Sequence, residues 1–311
     1  WWLLVAEIEK PAASAPTGAR LWIGSLVALC SAVTFALNMV LARLTYDAGG
    51  NIHALNLSRA GLFLVCLAVW VHFSGRSLTL PRGPLLASLL LGLLLCAEMY
   101  LLLGAIIFIP VALTILIMYS YPLLLAGLTW ITGSDKPTFL RVLALVVAFM
   151  GLGIAVAAPV GGEMDWRGVG LAGASALTLG GLLLFSERIM AGRDNRVVMF
   201  YMIVATTVTV ALLSATVVDL AWPSGTVGWV AFTGSTALYV VATICLFTAV
   251  SMIGPLKAAA IDNTSPVWAL LFGFGLIGET LAPRQMLGMA LVVGALIFLQ
   301  IVQRPRRPMH G

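Results

Sequence analysis

A chain of 311 residues in which 61% are hydrophobic and only 9% charged, with a mean hydropathy of +1.07, is too apolar to be a water-soluble protein. Its formal charge of +5 comes from basic residues spread over short connecting segments, so no nucleic-acid-binding face is expected. With 3 His residues and no H-E-x-x-H, G-x-S-x-G or Cys/His cluster at metal-ligand spacing, the sequence predicts no enzyme, no metal and no cofactor.

Residues 1–20 contain Glu7, Glu9 and Lys10 but no basic leader followed by an apolar stretch, so they read as a cytoplasmic segment rather than a cleaved signal peptide. A start at Trp1 rather than Met reads as a chain incomplete at its beginning. Ten apolar runs of spanning length follow: 21–43, 54–73, 84–106, 110–131, 139–159, 168–190, 197–219, 227–251, 255–277 and 285–303. Their length and lack of alternation make them helices, and the chain an all-α integral membrane protein embedded in a lipid bilayer. Cys30, Cys66, Cys96 and Cys245 all lie within these spans and read as small apolar fillers. Residues 304–311 form a basic tail.

One side of the membrane collects Lys10, Arg20, Arg76, Arg82, Lys136, Arg141, Arg188, Arg193, Arg196, Arg304, Arg306 and Arg307, against Arg43, Arg167 and Arg284 on the other. That bias places both termini in the cytoplasm.

Landmarks recur at a spacing of 145: Arg43 with Arg188, Pro110 with Pro255, and Gly133 with Gly278. Two five-helix repeats are therefore expected, 21–160 and 165–303, joined through APVGGEMDWRG. An odd number of spans in each inverts the second relative to the first, the architecture of secondary transporters that alternate access around a midplane site.

Within the repeats, PVALTILIMYSYP (110–122) and PLKAAAIDNTSP (255–266) correspond: each begins at a proline and meets a second one about twelve residues on. Pro122 and Pro266 thus predict paired helix breaks, or hinges, that free the carbonyls of Met118 and Asp262. A kink in packed helices, with Ser120, Thr264 and Ser265 taking up the backbone, is the plainer alternative.

Lys257 lies near a helix start and can snorkel to the headgroups, whereas Asp262 is more than a turn deeper and cannot. Span 1 offers Ser31, Thr34 and Asn38 at helical spacing, and span 8 offers Thr236, Tyr239 and Thr243. Glu98 and Tyr100 in span 3 and Tyr119 and Tyr121 in span 4 add polar side chains. Such stripes line a pathway or serve as interhelical glue. Arg59 reads as a structural or gating charge, and Glu98 and Lys257 as candidates for coupling or gating. The candidate substrate-binding set is Asn38, Tyr100, Tyr119, Tyr121, Tyr239, Thr243, Asp262, Ser265 and Trp268.

TFALNMVLARL closing span 1, NLSRAGLFLVCL in span 2, and TSPVWALLFGFGLIGE followed by a Gly-containing last span resemble the EamA-type transporters of the drug/metabolite transporter superfamily over essentially the whole chain. The resemblance implies a pathway between helices 1–4 and 6–9, with helices 5 and 10 peripheral. It points to Asn38, to the turn from Tyr119 to Pro122 and to the turn from Asp262 to Pro266. Phe35 where Trp is common, and GSDKP where the second half has Gly278 and Glu279, depart from the pattern. Amino-acid exporters of the YddG type are similar in size and layout.

The expected function is export of neutral, mainly aromatic, amino acids and related small metabolites by alternating access in a bacterial inner membrane. A multidrug or other metabolite carrier of the same fold is the alternative, and a non-transporting membrane subunit a further one. Nothing in the sequence sets an oligomeric state or an energy source.

Overall fold

The computed structural model describes residues 18–74, 78–121, 139–156, 165–190, 193–216, 219–279 and 282–302. Among them the helices are α1 (Gly18–Asp47), α2 (Ile52–Phe73), α3 (Arg82–Phe108), α4 (Val111–Met118), α5 (Phe139–Val156), α6 (Trp166–Met190), α7 (Asn195–Thr216), α8 (Gly225–Ile253), α9 (Pro255–Asp262), α10 (Ser265–Ile277) and α11 (Pro283–Val302). Six of these, α1, α2, α3, α6, α7 and α8, are long and apolar enough to cross a membrane. Large apolar side chains such as Trp22, Leu26, Val65, Leu177, Leu212 and Phe274 stand exposed on the outside, as a protein solvated by lipid requires.

The expected limits hold within a few residues, with two departures. The span expected at 255–277 is two helices separated by Asn263 and Thr264. Pro266 occupies the first turn of α10, where its missing N–H costs nothing, so the interruption falls before the proline rather than at it. Of the span expected at 110–131 the described part is α4 and the turn to Tyr121; Pro122 and Gly133 lie outside the described residues.

Local chemistry explains the sharp helix starts. Ile109 is extended (φ −134°, ψ 159°), as the residue before a proline prefers, and Pro110 then opens α4. Gly254 at φ +83° takes a conformation a side chain resists, and Pro255 begins α9 directly after it.

Packing divides the helices into two groups that mix the first and second parts of the chain. In one group, α1 packs along α8 and also against α9 and α10; α2 is bonded to this group through Arg59, with Asn38 of α1 and Ser235 of α8, although its more extensive packing is on α7. In the other, α3 packs along α6 and α7, and α4 lies on α6. The groups meet where α2 faces α7 and α4 faces α10, while α5 and α11 pair with each other at the side.

Small residues permit the closest approaches. A Cβ on Gly92 of α3 would sit 2.2 Å from the Met202 carbonyl oxygen and 2.7 Å from the Ala205 side chain of α7. The same contact is bridged by Thr206, whose hydroxyl donates to the Gly92 carbonyl at 2.8 Å. Between α5 and α11, Gly151 and Gly288 each lie against the other's carbonyl oxygen. Gly92→Val is therefore expected to force α3 off α7 and cost about 1–3 kcal/mol, read as a lower apparent melting temperature in detergent; an unchanged melting temperature would contradict this packing.

Candidate functional site

Two interrupted helices meet inside the bundle. At the α9–α10 junction, Thr264 donates through both its N–H and its hydroxyl to the Ile261 carbonyl, and the Ser265 hydroxyl donates to the Asp262 carbonyl at 2.6 Å. At the end of α4, Ser120 donates its N–H and hydroxyl to the Ile117 carbonyl, the hydroxyl at 2.6 Å. Hydroxyl side chains thus take up backbone loosened by the breaks, including the Asp262 carbonyl that the sequence suggested would be free.

The side chains at the two breaks bond to each other. The Tyr119 hydroxyl donates to Asp262 Oδ2, and the Ser265 hydroxyl, 3.3 Å from Tyr119 Oη and from the Ala32 carbonyl, ties α10 to both. The Phe35 ring of α1 meets Tyr119 edge-on at 6.2 Å. Asp262 is buried, and its Oδ1 accepts no hydrogen bond among the described residues.

Above this joint lies a cavity between the two groups. Ser31 and Phe35 of α1, Tyr239, Thr243, Leu246 and Phe247 of α8, and Asp262 face Glu98 of α3, Tyr119 and Tyr121 following α4, and Leu179 and Leu182 of α6. The space open to the centres of water molecules is about 50 Å³, room for only a few waters at roughly 10–15 Å³ each. A metabolite-sized solute enters only if the groups part. Glu98 accepts from Ser175 at 3.4 Å, and the Tyr239 hydroxyl has no partner among the described residues.

The cavity approaches the end of the bundle where α1 begins, as Phe247 and Val250 near the end of α8 show. At the other end, where α1 finishes at Asp47, the groups are laced together. Arg43 donates to the Ile106 carbonyl, and the Tyr46 hydroxyl donates to the Leu103 carbonyl at 3.5 Å. Gly278, left-handed at φ +64°, reverses the chain after α10 so that the Glu279 N–H bonds the Gly273 carbonyl. The Glu279 carboxylate then reaches the Val111 N–H at 2.7 Å and caps α4 from the opposite group. Burial pushes the Glu279 carboxyl above the usual carboxylate range, against the opposing pull of that N–H and of Arg43.

Of the candidates taken from the sequence, Tyr119, Tyr121, Tyr239, Thr243, Asp262 and Glu98 line the cavity. Asn38, Tyr100, Ser265, Trp268, Arg59 and Lys257 do not. Asn38 accepts from the buried Arg59 guanidinium, which also donates to Ser235 at 2.7 Å and lies 5.1 Å over the Tyr239 ring. Tyr100 packs on His53, Trp268 stacks on Phe272 and donates to Thr264, and Lys257 is exposed. Leu179, Leu182, Leu246 and Phe247 join the lining without a signal in the sequence, since an apolar residue facing a cavity reads the same as one facing lipid; Phe35, noted only as a departure from the family pattern, lines it too.

Comparison with known proteins agrees with a membrane transport role. Residues 166–301 match the model of the EamA-like transporter family. The uncharacterized transporter sll1319 of Synechocystis sp. is 25% identical over 311 aligned positions, covering 89% of this chain and 93% of that one. A protein of known crystal structure superposes with a TM-score of 0.61 at 18% identity, over 90% of this chain and 97% of the other, a likeness of fold. The matched family and the named relative are transporters and not enzymes.

Arg59 makes a prediction of its own. Asn38→Leu leaves a buried guanidinium short of an acceptor and is expected to cost about 1.5–3 kcal/mol. Arg59→Met in the same chain should recover most of that loss, because an apolar pair leaves no charge unsatisfied. Thermal unfolding of both variants in detergent checks it; a double variant no more stable than Asn38→Leu contradicts the assignment.

Proposed function

We propose that the chain exports neutral, mainly aromatic, amino acids and related small metabolites across a bacterial inner membrane by alternating access. The observation that carries this reading is the cavity between two helix groups, lined by tyrosines and floored by a buried carboxylate, laced shut at the Asp47 end. A largely apolar, aromatic lining with a few polar anchors suits such cargo.

On this reading the chain makes ten crossings in two inverted repeats, 21–160 and 165–303, with both termini in the cytoplasm. Several facts support it. Packing pairs correspond at the 145-residue spacing: α1 with α8 answers α6 with α3, and α1 with α10 answers α6 with α4. The serine back-bonds at the two breaks, Ser120 to Ile117 and Ser265 to Asp262, stand 145 apart. The family match at 166–301 nearly coincides with the second repeat.

The moving bodies are the two packing groups rather than the two repeats, because each group draws helices from both. Transport then requires the Arg43 and Glu279 ties to break as the groups separate at the Asp47 end, while the opposite end closes over the cavity. On this reading the Lys and Arg bias of the loops puts the Asp47 end outside.

Counterflow of labelled amino acids into proteoliposomes tests the reading, and movement of sugars or phosphorylated solutes but of no amino acid overturns it. Single thiols locate the path. Tyr121→Cys is expected to react with a small water-soluble thiol reagent and to be protected by the transported solute. Ser265→Cys, sealed among Ala32, Tyr119 and Asp262, should react at least about tenfold more slowly and gain no protection. Equal reactivity at the two positions would contradict the cavity described.

A further inference from the structure

The charges around the cavity are unbalanced. Among the described residues its lining includes two carboxyl side chains, Asp262 and Glu98, and no Lys, Arg or His. Glu98 has a counter-charge close by in Arg59, which lies behind Tyr239 and is itself bonded to Asn38 and Ser235. Asp262 has none: no ion pair reaches it among the described residues, and Lys257 on the same helix is exposed and outside the lining. Asp262 is 4% exposed, with one oxygen taken by Tyr119 and the other without a hydrogen bond among the described residues, the Ser31 hydroxyl standing beside the carboxyl group.

A buried carboxylate with an unfilled oxygen is costly unless something supplies a donor. A substrate ammonium would do so with a charge-assisted hydrogen bond. The surroundings suit the rest of such a molecule. Aromatic rings at Phe35, Tyr119 and Tyr121 flank the carboxyl group and favour a cation near their faces. Leu179, Leu182 and Leu246 offer an apolar wall for its body.

For an anionic group the lining offers little. The Ser31 hydroxyl is shared between the Ala242 carbonyl and the neighbouring Asp262 carboxyl group, Thr243 is committed to the Tyr239 carbonyl and Tyr119 to Asp262. The open Tyr239 hydroxyl is a neutral donor in a lining that also carries Glu98.

Resting on the transport reading above, we propose that this cavity selects its solute by a cationic nitrogen held on Asp262, with an aromatic or apolar body beside it, and does not require the carboxylate of an amino acid. Amines with an aromatic body are then substrates in their own right, and aromatic acids that lack an amine are excluded.

Three probes sharing one ring separate the possibilities: tryptamine, tryptophan and indole-3-propionate, with neutral indole as control. Binding to the full chain in detergent is measured by calorimetry, and counterflow in proteoliposomes is measured in parallel. Tryptamine is expected to bind at least as tightly as tryptophan, and indole-3-propionate at least about tenfold more weakly. Asp262→Asn should weaken tryptamine by about tenfold or more beyond any change it makes in the binding of indole. Should that variant fail to insert, the ranking on the unaltered chain decides alone.

Indole-3-propionate binding as well as tryptamine, none of the three binding, or tryptamine unaffected by Asp262→Asn overturns the amine site. Binding in the expected order without counterflow of any probe keeps the amine site and removes the transport reading. Counterflow of indole-3-propionate alone does the reverse.

Discussion

A helix interrupted inside a bilayer survives only if protein takes up the backbone groups that the interruption loosens. Here two helices stop inside the bundle, and the bond from Tyr119 to Asp262 joins the two stops. Each stop manages its own carbonyls through a serine hydroxyl three residues on. Their side chains are thereby released for contact across the seam between the helix groups. One joint thus supplies a local solution to backbone satisfaction, a contact between the two packing groups and the floor of a cavity.

The remaining polar chemistry sorts by its relation to that seam. Arg59, with Asn38 and Ser235, sits within one group and bonds α2 to α1 and α8, so it makes that group a unit. Arg43 and Glu279 reach across the seam at the Asp47 end to backbone groups of α3 and α4. Bonds of the first kind favour rigid bodies; bonds of the second kind hold one arrangement of those bodies and must be exchanged for others if the arrangement changes. Close glycine contacts such as that of Gly92 in α3 with Met202 and Ala205 of α7 belong to the first kind, since α3 and α7 lie in the same group.

Much of the fold was legible because bilayer thickness and hydropathy leave few choices for a chain this apolar. The described helices begin and end within a few residues of the runs read from the sequence, and Gly254–Pro255 and Gly278 mark boundaries by backbone chemistry alone. Asp262 and Tyr119 were legible as polar side chains beside breaks in apolar runs. Asn38 was not, because a polar residue on an inward face reads alike whether it meets a solute or Arg59, and only the partner decides. The apolar lining was hidden for a different reason. In water an exposed Phe or Leu stands out, but in a membrane protein lipid contact and cavity contact select the same side chains, so Leu246 and Phe247 carry no mark. The mixing of early and late helices within each packing group is likewise a tertiary property, set by which faces fit, and periodicity does not encode it.

The central claim is that the two packing groups move against each other about the joint between Tyr119 and Asp262. Spin labels at Asp47→Cys and Ile107→Cys bracket the seam at one end, and labels at Leu86→Cys and Ser251→Cys bracket it at the other; all four native side chains are exposed. Distances between the labels in each pair, measured by double electron–electron resonance in lipid with and without a transported solute, report the motion directly. The account predicts that solute lengthens the first distance and shortens the second. Both distances unchanged at saturating solute, or both changing in the same sense, would contradict it.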